Sequence, residues 1–442
     1  MIMKKIKNFN RNMPLRLFNS WILFTLLIFA IGPIEYRNCN KWYAILFMAF
    51  FLICANFFGY VGSKIHIGKP RAQLYFSEKK IINFTIIYSF VITVLILLES
   101  ILKIGLPSWT LDNLFKAMAQ TYSFQKEYTF LISLWIISYT KWIRAAGLIL
   151  GMLYWKKINK KYKILYIITV FVIIGYNTFF IGSQKELIDT TIYLGLPILM
   201  NWYANGKKIS FKRKLIMFLA AISILGFMGT VIESRHILWS DLYNSESSLL
   251  VDKENWIYLI FPDKQVDTLI YIFSYLTQGY RGLALCLTLP FVWAKGMGSS
   301  FKIMNDVSRW LSIPVSTLEV SYPVRMEAEY GVGAYASWHS IFPWIASDFT
   351  FIGSIFIVSI FIYYWMKSWN EFIKYKTWIS GIMFCHLSIL VVYIPCNNQL
   401  FQTRDSIVAT LMIFIFWYLY HGKRSKNKIV RGKSRLWNVE EG

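Results

Sequence analysis

Acidic residues are scarce in this chain: 23 Asp and Glu stand against 47 Lys and Arg in 442 residues, leaving a formal charge of +24. In a soluble protein such an imbalance would suggest nucleic acid. Charge of either sign is also sparse, at 16%, below the 18% that are aromatic. The hydrophobic share, 56%, exceeds the roughly 45–50% of ordinary soluble proteins. A soluble fold and a disordered chain are both excluded. Cysteine is equally uninformative as chemistry. Cys39, Cys54, Cys286, Cys385 and Cys396 show no metal or redox spacing and read as small apolar packing residues. The chain also lacks a Walker loop, an HExxH metal site, a G-x-S-x-G elbow and a haem motif. Gly331, Gly333 and Gly353 form no nucleotide-binding fingerprint. Catalysis here therefore needs a substrate that brings its own leaving group, and no cofactor or metal is expected.

What is present is a series of long apolar runs. Stretches able to cross about 30 Å of hydrocarbon occur near 17–34, 42–62, 81–101, 130–155, 162–180, 186–203, 213–232, 350–366, 377–395 and 404–421. These predict an all-α, polytopic integral membrane protein of about ten transmembrane helices, the first a retained helix rather than a signal peptide. An eleventh stretch, 266–293, carries Arg281 at its centre. The positive-inside rule decides how to treat it. If it does not cross, residues 1–16, 63–80, 156–163 and 204–214 hold five bases each on the cytoplasmic side, with seven more in the tail from 422. Both termini are then cytoplasmic, and the +24 is mostly a topology signal. The stretch itself is expected to be a helix broken near Gly279 and Gly282, external or re-entrant, with a short hairpin as the alternative. One membrane-embedded domain, 1–442, then carries a large external insertion at 233–349 and a second external segment at 102–129. A loop of that size usually has a functional reason.

Several polar residues are unusual in this setting. Lys141 and Arg144 share a helix face within the 130–155 run, where they either line a cavity or mark a helix that starts later, near Tyr139. Lys185 precedes Glu186 and Asp189 at a helix start and serves either a phosphate or an ion pair. Arg235 and His236 emerge at an external helix end. Arg281, in an apolar and aromatic segment, must snorkel, pair with an acid or bind an anion. The section VRMEAEYGVGAYASWHSIFPWIASDF adds Arg325, Glu327, Glu329, His339 and Asp348. It offers anion-binding groups and a proton acceptor, His339 or a carboxylate. Trp310, Trp338 and Trp344 suit either sugar stacking or interfacial anchoring.

Three segments carry a resemblance: IGSQKELID at 181–189, SYLTQGYRGL at 274–283 followed by GMGS at 296–299, and WHSIFPWIASDFTFIGS at 338–354. In these and in its helix pattern the chain resembles the bacterial oligosaccharide repeat unit polymerases, the O-antigen or Wzy-type family. It departs from that pattern at His339, at Gln184-Lys185, and in the Thr350-Phe351-Ile352 interposed before Gly353. The resemblance implies an inverting, metal-independent glycosyltransferase in the bacterial inner membrane. Its donor and acceptor would both be undecaprenyl-pyrophosphate-linked oligosaccharides, joined at the periplasmic face, with membrane lipids around it, a chain-length regulator as a candidate partner and no nucleic acid. In that reading Arg281 and Arg325 stabilise the leaving pyrophosphate, and Lys185, Arg235, Lys141, Arg144 and Trp338 support substrate binding. Glu327 or His339 takes the acceptor proton, with Asp348 orienting that base. An O-antigen ligase and a lipid-linked oligosaccharide flippase or transporter are the alternatives.

Overall fold

The computed structural model describes residues 11–36, 38–65, 77–105, 131–177, 184–206, 250–314, 320–334 and 337–421, with isolated positions between 210 and 226. Most of the 213–232 run, the external segment at 106–129 and Arg235 with His236 lie outside the described residues.

The chain is an all-α, multi-pass membrane protein. Its elements are α1 (Met13–Ile31), β1 (Ile34–Glu35), α2 (Lys41–Lys64), α3 (Glu78–Ile104), α4 (Ile132–Leu153), α5 (Lys160–Gly175), α6 (Gln184–Ala204), β2 (Leu250–Val251), α7 (Ile257–Ile260), α8 (Asp263–Cys286), α9 (Phe301–Leu311), α10 (Tyr322–Tyr330), α11 (Phe342–Tyr375), α12 (Trp378–Tyr393) and α13 (Arg404–His421). Among the described residues, five helices are long and apolar enough to cross a membrane: α1, α2, α3, α4 and α11. β1 and β2 form one short antiparallel pair, Ile34 opposite Val251, which fastens the turn after α1 to the segment before α8.

Local chemistry sets the helix ends. Asn40 accepts the Trp42 N–H to open α2, and Ser77 accepts that of Lys80 to open α3. α10 stops at Gly331, whose φ of 67° a side chain would resist. In α11 the backbone turns sharply at Thr350 (φ 64°, ψ 166°), dividing a short first segment from the long apolar one. Positive φ is costly for a β-branched residue. Part of that cost is offset locally, because the Thr350 hydroxyl accepts the Gly353 N–H at 3.3 Å and so caps the second segment.

The expected break in 266–293 is not found. α8 runs as one helix through Gly279 and Gly282 to Cys286, and 287–300 is irregular. The glycines serve close packing instead. A Cβ on Gly279 would lie 2.1 Å from the Pro395 carbonyl oxygen, and one on Gly282 would lie 2.8 Å from His339 Nδ1. A glycine in a helix costs only about 1 kcal/mol relative to alanine, so burial against a neighbour outweighs it.

The core is aromatic. Trp365 stacks on Phe384 with centroids 5.3 Å apart and donates through Nε1 to Ser388 Oγ at 2.8 Å. Phe342 packs edge-on against Phe47 and Phe51, joining α11 to α2. Gly62 of α2 makes this approach close, because its Cβ position is 2.4 Å from the Tyr363 carbonyl oxygen. At one end of the bundle Glu371, fully buried, accepts from Thr377 Oγ1 at 3.0 Å and pairs with His421 Nε2 at 2.8 Å. At the opposite end lie the connections after α1 and the starts of α4, α6, α11 and α13.

Replacing Gly62 by Val is expected to force α2 and α11 apart and to destabilise the protein by about 1–3 kcal/mol, the usual range for overpacking. Thermal unfolding in detergent, compared with an exposed Leu102→Val control, reads the effect.

Candidate functional site

The end of the bundle near Lys141 gathers most of the polar residues that stand out in the sequence, and the structure sorts their cations into two kinds. The first kind is paired. Lys141, 7% exposed within α4, donates to Glu186 Oε1 at 3.0 Å and to Asp405 Oδ2 at 2.7 Å. Arg144, one turn on, reaches Glu186 Oε2 at 3.2 Å. Lys185 pairs with Asp189 at 2.6 Å. Three bases thus meet three acids and tie α4, α6 and α13 together. α4 is helical from Ile132, so Lys141 and Arg144 lie within the helix and not at its start. They line a cavity of about 10 Å³ with Glu186, Thr190 and Tyr193, about one water in size. Deeper in the bundle, Tyr193 OH and Thr410 Oγ1 flank the ring of His386 at 3.3 and 2.9 Å.

The pairing continues outward. Arg404, next to Asp405, makes a two-point contact with Asp306 of α9, Nε to Oδ2 at 3.0 Å and Nη2 to Oδ1 at 2.7 Å. The first two residues of α13 therefore hold the bundle interior and α9 at once. Bidentate carboxylate contact is the geometry that guanidinium favours.

The second kind of cation has no carboxylate partner among the described residues. Arg281 of α8 is half-buried over the Tyr36 ring, 5.6 Å from its centroid, and its Nε is buried without a hydrogen bond. Arg325 of α10 donates to the Pro290 carbonyl at 2.7 Å and lies over Tyr322. Leu285, Cys286, Tyr322, Met326 and Ala346 form an apolar cluster against which Cys39 packs; Arg325 lies over its Tyr322, and Arg281 acts on Cys39. Burial pushes the Cys39 thiol up to about 11, against the pull of Arg281 and Lys41.

Two of the segments singled out in the sequence, 274–299 and 338–354, meet here. The glycines of α8 receive His339, and the GMGS loop lies on the first segment of α11, where Asp348 accepts Gly298 N at 3.1 Å and both the N and Oγ of Ser299 at 2.7 Å. Asp348 is therefore committed to the loop and does not orient His339, correcting the expected pairing. His339 is 1% exposed and its Nε2 faces the Ala334 carbonyl at 3.0 Å. Burial pushes its imidazole down to about 4. The proton on Nε2 is then the one given to Ala334, and Nδ1, sealed against Gly282, is left without a partner. A ring so enclosed is a poor proton acceptor near neutrality, so the expectation that His339 is the base is not favoured by this geometry. Glu327 is better placed: it is exposed, and only Oε2 is engaged, by the Ala334 N–H at 3.0 Å. Trp338 packs between Tyr275 and Tyr393, Trp344 is buried, and Trp310 is 71% exposed.

Sequence reasoning missed Asp405, Arg404 with Asp306, and Lys41. The signal for Asp405 was weak: an Arg-Asp pair opening the last apolar run, 264 positions from the lysine it serves. Among the described residues no group of three or more His, Cys, Asp and Glu side chains is arranged to hold a metal ion. No family model, curated protein or solved structure gives a match to this chain.

Two outcomes follow from the site. Lys141→Met strands Asp405 and leaves Glu186 with Arg144 alone, so a loss of about 3–5 kcal/mol is expected, partly recovered when Asp405→Asn is added; unfolding temperatures of purified protein measure both. For His339, the unfolded imidazole takes its proton near pH 6.5 and the folded one only near 4. Its contribution is present above pH 6.5 and is lost as pH falls through that window. The wild type should therefore lose up to about 3 kcal/mol more than His339→Gln between pH 7.5 and 4.5.

Proposed function

We propose that this chain is a polysaccharide polymerase of the bacterial inner membrane, joining undecaprenyl-pyrophosphate-linked oligosaccharides at the periplasmic face. In this reading it crosses the membrane ten times with both termini in the cytoplasm, and the region from 233 to 349, α8 included, is external. The distribution of bases supports that orientation, since four connecting or terminal segments at the opposite end hold five each. The observation that carries the functional reading is Arg281: a half-buried guanidinium with a buried, unbonded Nε and, among the described residues, no carboxylate beside it. Arginine so placed suits an anion that arrives from outside the fold.

The chemistry follows from the residues at that end. An acceptor hydroxyl attacks the anomeric carbon of the donor from the face opposite the pyrophosphate, giving inversion. The hydroxyl proton passes to the Glu327 carboxylate as the new C–O bond forms. The old C–O bond breaks, and its electron pair leaves with undecaprenyl pyrophosphate, whose charge Arg281 and Arg325 stabilise. Arg325 is aimed by the Pro290 carbonyl and the Tyr322 ring. Lys141, Arg144 and Lys185 are neutralised by their acids and act as supports of the site.

The test is incubation of the purified protein with one defined undecaprenyl-linked repeat. A ladder of longer glycans is expected. Arg281→Ala and Arg325→Ala should each lower the rate by at least about 10²-fold, the scale for losing a charged stabiliser of the transition state, and Glu327→Gln should do the same with donor binding retained. Undiminished turnover in Arg281→Ala at equal protein level would sink the assignment. Transfer to lipid A core in place of a ladder would identify a ligase, and transport of a single repeat without elongation a flippase.

A further inference from the structure

The connection between α1 and α2 contains a cation whose position is unfavourable unless something else is present. Lys41 is the first residue of α2, a helix of 24 residues. The N-terminal end of a helix carries partial positive charge, so an acid is favoured there and a lysine is not. Lys41 has no ion pair among the described residues. Its Nζ donates to the Ala30 and Ile34 carbonyls at 3.4 Å each, both longer than the usual 2.7–3.2 Å. It lies 5.8 Å from the centroid of Phe29.

Arg281 approaches the same place from α8. The Tyr36 ring beneath it is the immediate neighbour of Phe29, with centroids 5.7 Å apart and planes tilted by 32°. Tyr36 is held in turn by its hydroxyl on Thr277 at 2.7 Å, one turn before Arg281 on α8. Two cations therefore lie over two adjoining rings, and Cys39, two residues before Lys41, feels the charge of both. Glu35, the nearest acid in the chain, is exposed and pairs with neither; Arg37 lies outside the described residues. These two like charges, one of them on the first residue of a helix, are offset among the described residues only by carbonyl dipoles and ring faces, not by an acid.

We infer that Lys41 and Arg281 form one binding site for the phosphate of an anionic lipid headgroup, built over the Phe29 and Tyr36 rings. The identity of the lipid as the donor pyrophosphate rests on the polymerase reading above; the site itself does not. Aromatic faces suit this place, because they stabilise the cations while the site is empty without competing as anions do. The long bonds of Lys41 leave its ammonium able to turn to a phosphate oxygen. α8 supplies the fixed guanidinium, which prefers phosphate in a two-point contact.

The simpler use of Lys41, as a donor to the last carbonyls of α1, is separable from this one. Lys41→Gln keeps a donor and removes the charge, whereas Lys41→Arg keeps both. Full-length protein in phosphatidylcholine nanodiscs is titrated with undecaprenyl pyrophosphate, with phosphatidylglycerol and with inorganic pyrophosphate. Lys41→Gln and Arg281→Gln are each expected to weaken undecaprenyl pyrophosphate binding about tenfold or more, with Lys41→Arg close to wild type. Binding by Lys41→Gln equal to wild type overturns the site. If Arg281→Gln fails to fold, the two Lys41 variants decide alone. Phosphatidylglycerol binding as tightly as undecaprenyl pyrophosphate, with the same dependence on Lys41, keeps the site and overturns its assignment to the donor. Binding that needs both cations in a protein that yields no glycan ladder supports the site while the polymerase reading fails. A ladder made at full rate by Lys41→Gln, with unchanged binding, supports that reading while the site fails.

Discussion

A lysine inside a membrane-spanning helix cannot be left to hydrocarbon, and the arrangement of this protein's polar end follows from how Lys141 is satisfied. Insertion of an unpaired cation costs several kcal/mol, and here two acids from two other helices meet it, Glu186 of α6 and Asp405 of α13. Those contacts fix which face of each helix points inward. They also place Arg404, the residue before Asp405, where it can hold Asp306 and with it α9. A chain of ion pairs thus runs from the interior of the bundle to its surface, and each member is there because the previous one needed a partner. Such an arrangement gives little net stability over an apolar core of equal volume, yet losing one member is severe. Its effect is to specify which helices meet and in what register.

Once the paired charges are accounted for, the unpaired ones stand out. Arg281, Arg325 and Lys41 are stabilised by rings and carbonyls rather than by carboxylates. In a chain with about one acid for every two bases, some cations must go without an acid, and more than half of the bases fall in the sequence segments 1–16, 63–80, 156–163, 204–214 and the tail from 422. Arg281, Arg325 and Lys41 each sit on a helix. Glycines at 279 and 282 let α8 press against the backbone around His339 and Pro395, and Asp348 pins the loop that precedes α9. Close backbone packing under an open, cationic and aromatic surface is a suitable support for an anion that must be held still while a bond to it breaks.

Much of the architecture was legible in the sequence. The apolar runs at 42–62 and 81–101 coincide with α2 and α3 within a few residues, because the length of a hydrocarbon-spanning helix is set by the bilayer and not by neighbours. Arg281 and Arg325 were visible as bases within aromatic, weakly polar segments. The continuity of α8 was not, since a glycine that breaks a helix and one that admits a neighbouring backbone are the same letter. Nor was the role of Asp348, whose three donors come from a loop 49 and 50 residues away.

The sequence by itself determined that this is a helical membrane protein, where its apolar helices begin and end, and which residues are out of place in such a setting. Those properties depend on local composition and on the solvent, and both can be read one segment at a time. Only the tertiary structure decided which out-of-place charges are neutralised and which are left open. Lys141 and Arg281 look alike as letters in an apolar run. One has Glu186 and Asp405 beside it and the other, among the described residues, has the Tyr36 ring and no acid, and the partner of a charge is chosen by helices that meet in space across 45 to 264 residues of chain.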